Sequence, residues 1–63
     1  MEQTVKAIEA AYAKQVGDIY RTFAQALLGA GSDSDEIAEA EAKFRKSLAF
    51  ANDVRVRALG QVG

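Results

Sequence analysis

The large apolar residues of the first half of the chain are Val5, Ile8, Tyr12, Val16, Ile19, Phe23 and Leu27, separated by 3, 4, 4, 3, 4 and 4 positions. This eleven-residue period, seen twice, is close to the natural turn of a straight α-helix and incompatible with the alternation of a strand. The polar residues Gln3, Lys14, Asp18, Arg21 and Gln25 fall on other faces of the same helix. No proline interrupts it and alanine is abundant, so intrinsic propensity agrees with the pattern. The spacing predicts a helix over about residues 2–28.

The second half repeats the theme with Ile37, Ala40, Phe44, Leu48, Ala51, Arg55 and Leu59 on one stripe, widened on one flank by Phe50, Val54 and Ala58. Glu39–Lys43 and Glu41–Arg45 are acid-before-base pairs at i,i+4, which support a helix slightly. Asp33 followed by Glu36 fits a capping box at its start. Gly60 suits a stop, so the second helix is expected over about residues 34–59. Between the two lies GAGSDSDE, residues 29–36, which reads as a turn over about 29–33, with Gly29 or Gly31 ending one helix and Asp33 starting the next.

The same stretch fails as a ligand loop. In a calcium-binding register Asp33 and Asp35 would fill positions 1 and 3, but Ile37, Ala38 and Phe44 then occupy positions that need an oxygen ligand, a glycine and a glutamate. As a phosphate loop it lacks a preceding strand and the Gly-Lys-Ser/Thr that follows, and its acids repel an anion. The chain has no histidine and no cysteine, so the usual general base, neutral metal ligands and thiolate sites are missing. Ser32, Ser34 and Ser47 have no histidine to activate them, and Glu36, Glu39 and Glu41 read as a solvated first turn. These residues predict a protein that is not an enzyme, with no catalytic residues, no metal and no cofactor.

What remains is the problem of size. A chain of 63 residues buries only about 60% of its unfolded surface, and small domains add disulfides, a metal or a second subunit. With the first two removed, oligomerisation is the expected solution. Helix one carries a second stripe of small residues, Ala10, Ala13, Gly17 and Ala24, with Tyr20 and Leu28 beside it. Apolar residues on more than one face imply more than one helical neighbour. The candidate dimer interface is therefore Ala10, Ala13, Gly17, Tyr20, Ala24, Phe50 and Val54.

The expected fold is all-α: an antiparallel two-helix hairpin forming a single domain over residues 1–63 and pairing into a homodimeric four-helix bundle. If the chain reverses near Gly31, residues whose numbers sum to about 63 face each other. Phe44 then meets Ile19, Phe23 meets Ala40, Tyr12 meets Ala51, and Arg55 reaches Glu9 in an intrachain ion pair. The apolar runs are too short to span a bilayer and no signal-peptide core is visible, so a cytoplasmic protein is expected.

The charge is polarised: residues 29–41 hold five acids and no base, whereas residues 42–63 hold Lys43, Arg45, Lys46, Arg55 and Arg57 against Asp53 alone. Acids at a helix start and bases at its end complement the helix dipole, and two such helices antiparallel across a dimer would set acid against base. The expected role is a small protein–protein interaction or adaptor protein with an unidentified protein partner. The alternatives are a nucleic-acid-binding regulator using Lys46 and Arg57, which share a face of helix two, or a chaperone-like subunit of a larger helical assembly.

Overall fold

The computed structural model describes residues 2–62 and folds them into α1, Glu2–Ala30, and α2, Ser34–Gly60. With 29 and 27 residues, each helix is about 40 Å long at 1.5 Å per residue. They lie side by side as a hairpin with a longest dimension of 47 Å. No helix among the described residues is long and apolar enough to cross a membrane.

The turn is built from Gly31 to Asp33. Gly31 has φ 59°, and its N–H bonds the Leu27 carbonyl at 3.2 Å, closing the last turn of α1 in the left-handed cap that glycine favours. Gly29 stays helical, so α1 runs two residues past the expected boundary. Asp33 then sits at φ −71°, ψ 110°, and its Oδ1 accepts from the amides of Asp35 at 3.0 Å and Glu36 at 3.1 Å. Only this half of the expected capping box forms. The Asp33 amide, which the Glu36 carboxylate would have accepted, donates to the Ala30 carbonyl at 3.0 Å instead. At the far end Gly60 remains in the helix, and the chain closes with the Gln61 amide on the Ala58 carbonyl at 3.1 Å, without a left-handed residue.

Between the helices two alanines, Ala40 and Ala51, are 8% and 1% exposed and are the buried hydrophobic residues among those described. Phe23 and Phe44 stack near the turn with ring centroids 4.3 Å apart and planes 18° from parallel. The spacing predicts Phe44 by Ile19 and Phe23 by Ala40, whereas here the two large rings meet each other. The reversal point explains the shift. The turn centres on Ser32, and each side chain leans towards its own N-terminus, covering a spot about one residue behind its Cα. On antiparallel helices the two leans add, so the meeting residues have a larger sum than the backbone midpoint implies.

The two connector glycines should respond oppositely to alanine. Gly31→Ala forces a side chain into the left-handed region and should cost about 1 kcal/mol or more. Gly29→Ala, helical and with open space around a built Cβ, should gain up to about 1 kcal/mol. Thermal melts followed by circular dichroism should show shifts of opposite sign, each of roughly 4–8 °C. Shifts of the same sign would contradict this cap.

Candidate interaction surface

The chemistry-bearing side chains are mostly spent on structure. Asp33 caps α2, Lys14 and Arg21 flank Asp18 at 3.4 and 3.7 Å, and Lys43 lies 3.6 Å from Glu39. Among the described residues no three His, Cys, Asp or Glu side chains gather closely enough to hold a metal ion.

The strongest polar contact joins the helices at the end away from the turn. Arg55 Nε donates to Glu9 Oε1 at 2.8 Å, and Arg55 Nη2 donates to Glu9 Oε2 at 2.9 Å, a bidentate fork. The guanidinium carbon also stands 5.2 Å from the Tyr12 ring centroid, a cation–π distance. Both side chains remain partly exposed, so the pair aligns the helices more than it anchors a core. The bonds from Arg55 hold the Glu9 carboxyl below its ordinary range, outweighing the opposing effect of desolvation. The bonds to Glu9 raise the Arg55 guanidinium above its own.

Near the turn the hairpin leaves a shallow groove of about 220 Å³, walled by Ile19, Thr22, Phe23, Ala26, Ala40 and Phe44, among others. A second, more open hollow continues from it along Gln15, Ile19, Ser47 and Lys46 to Phe50. These walls place Phe50 on the same broad face of the hairpin as the groove.

All seven residues expected at a dimer interface are exposed, Tyr20 by 66%, Phe50 by 63% and Val54 by 41%. They do not form one patch. Ile19 borders the groove, and Tyr20 follows it about 100° further round α1, turned towards the opposite broad face. Ala13 and Ala24, at helical spacing from Tyr20, follow it, and Ala10 and Gly17 lie further round the back of α1. Val54, one turn after Phe50, belongs to the groove face. A Cβ at Gly17 would meet nothing within 4 Å, so no close helix approach inside the hairpin requires this glycine. The separation into two faces is present in the sequence as rotation per residue, a signal that apolar character alone does not reveal. The groove itself depends on how Phe23 and Phe44 stack, which the pattern does not encode.

Of the residues suited to nucleic acid, Arg57 is occupied by Asp53 at 2.9 Å. Lys46 borders the outer hollow beside Phe50. Compared with known proteins, the chain matches no family model, no curated protein and no solved structure.

The depressed Glu9 carboxyl sets a pH dependence. Its contribution to stability is fully present above the unfolded-state value of about 4.3 and is lost as pH falls through the lower folded-state value. The stability gap between the natural chain and Glu9→Gln, measured by urea unfolding, should be constant near pH 7 and shrink below about pH 4. A gap independent of pH would show that the fork contributes nothing through its charge.

Proposed function

We propose that the chain acts as a homodimeric four-helix bundle, a small non-enzymatic interaction or adaptor protein whose surface carries its function. One observation supports this above the others: the hairpin is a single layer. The Cα trace is 7 Å thick in its smallest dimension, the span of one helix. Stable domains pack at least two layers of secondary structure around a core. The radius of gyration is 14.7 Å, against about 10.6 Å for a compact chain of this length. The accessible area is 4868 Å², against about 3,900 Å² for a folded monomer of this mass. A second hairpin laid on one face supplies the missing layer and removes the excess area.

The absence of histidine and cysteine from the sequence supports a non-enzymatic role, since the side chains most used for acid–base and nucleophilic work are missing. A cytoplasmic setting belongs to the same reading, because so small a domain without a disulfide suits a reducing compartment. A nucleic-acid role draws less support, with Arg57 already neutralised by Asp53.

Sedimentation equilibrium and light scattering at micromolar concentration should return twice the mass of the 6.7 kDa chain, with thermal stability rising with concentration. A folded monomer whose stability ignores concentration would defeat the proposal.

A further inference from the structure

Building on the homodimer reading, we infer which face the second copy covers and which side chain it inserts: Phe50 of each copy enters the groove between α1 and α2 of the other. The groove holds about 220 Å³ and is open along one side. Its apolar walls and size suit one large side chain. Phe50, at the end of the hollow on the same face, is a large apolar side chain that stays 63% exposed.

The geometry for a reciprocal exchange is available. Phe44, in the groove wall, and Phe50 are six residues apart on α2, or about 9 Å along its axis. A two-fold axis across the helices at Ser47, midway between them, carries each Phe50 to the level of the other copy's Phe44. Ser47 borders both hollows and is small enough to let the two α2 helices approach. The same operation sets Val54 against Ala40, large against small, as interdigitating layers require.

Charge favours the same orientation. This axis puts the two turns at opposite ends, so the acidic start of α2 lies beside the basic end of its copy. Glu39 and Arg57, exposed, on one side of the helix and paired within it only to Lys43 and Asp53 at the surface, come to nearly the same level, where they would have to exchange or share those partners. In an arrangement with both turns at one end, acids would gather at that end.

The opposite face is a poorer site for the second copy. Glu9, Val16 and Tyr20 share a row on α1, at spacings of 7 and 4, so a copy seated there would cover the Glu9–Arg55 fork and strip it of water. The area is also appropriate. The excess of about 1,000 Å² over a compact monomer compares with about 800 Å² per partner in a standard interface.

The test compares the natural chain with Phe50→Glu, Tyr20→Glu and Phe50→Trp by sedimentation, with helicity checked by circular dichroism. The sequence has no tryptophan, so the indole introduced by Phe50→Trp is a sole reporter. The expected result is that Phe50→Glu weakens the dimer by roughly 30-fold or more while Tyr20→Glu leaves it intact. Indole emission from the Phe50→Trp chain should be blue-shifted and shielded from acrylamide in the dimer, then red-shifted on dilution. A natural chain that stays monomeric defeats the homodimer reading itself. A dimer that survives Phe50→Glu, or is equally broken by Tyr20→Glu, or leaves the introduced indole open to quencher, overturns the assigned face and keeps the dimer. If Phe50→Glu loses helicity as well as its partner, the emission of the Phe50→Trp chain decides between insertion and exposure.

Discussion

Two parallel cylinders touch along a line, and that geometry governs this hairpin. Each helix has one neighbour, so a side chain can be covered from one side and must find its remaining cover along the seam. A small side chain is the easiest to cover from one side, and among the described residues the two buried hydrophobic ones are alanines. The larger stripe residues, Ile8, Tyr12, Val16, Ile19, Phe23 and Leu27, all remain partly exposed. Apolar burial stabilises by about 25 cal/mol per Å², so partly exposed side chains return less than the same residues in a two-layer core. The Phe23–Phe44 stack and the Glu9–Arg55 fork are what a single seam can add: one apolar contact near the turn and one polar clamp near the open end. Together they hold the helices side by side along most of their length.

The turn shows how ordinary backbone requirements can resemble a binding site. Gly-Ala-Gly before an acidic run has the composition of an ion loop, yet its defining residues have local structural tasks. Gly31 supplies a positive φ, and Asp33 supplies an oxygen to two free amides. The carboxylates that follow, Asp35 and Glu36, stand in the first turn of α2, where the helix dipole favours negative charge. Composition alone does not distinguish a ligand set from a cap, whereas the spacing of the oxygens does.

Much of this architecture is legible in the sequence, and the illegible parts have physical reasons. A period maintained over two whole helices leaves little room for another secondary structure, so the elements and the reversal are readable from residues such as Val5 to Leu27. The choice between Gly29 and Gly31 is not, because either could adopt a left-handed cap and only the closing bond to Leu27 selects one. Register is the weaker inference, since side chains lean along their helices and shift the contacts by several residues. Glu9 and Arg55 meet despite that shift because long side chains absorb it, whereas the short, stiff Phe23 and Phe44 rings report it. The candidate surface residues illustrate a further limit. Tyr20 and Phe50 are both large, apolar and exposed, but which broad face each joins depends on rotation about two axes at once.

Charge polarity bears on the proposed assembly. Within one hairpin the acids at the start of α2 and the bases near its end offset the dipole of that helix, but α1 has no base in its last turn to balance the acids beside it. The turn end is therefore left with an excess of negative charge, while at the open end Glu2, Glu9 and Asp53 balance Lys6, Arg55 and Arg57. In the proposed dimer, a copy that reverses end for end would separate the two acidic turns and bring Arg57 of α2 near the acids of the other copy. Rim charges of this kind guide orientation more than they add affinity, which falls to apolar contacts at the centre. The proposed division of labour can be read along α2: acids gathered at its start, and Phe44, Ser47, Phe50 and Val54 along the groove face of its middle.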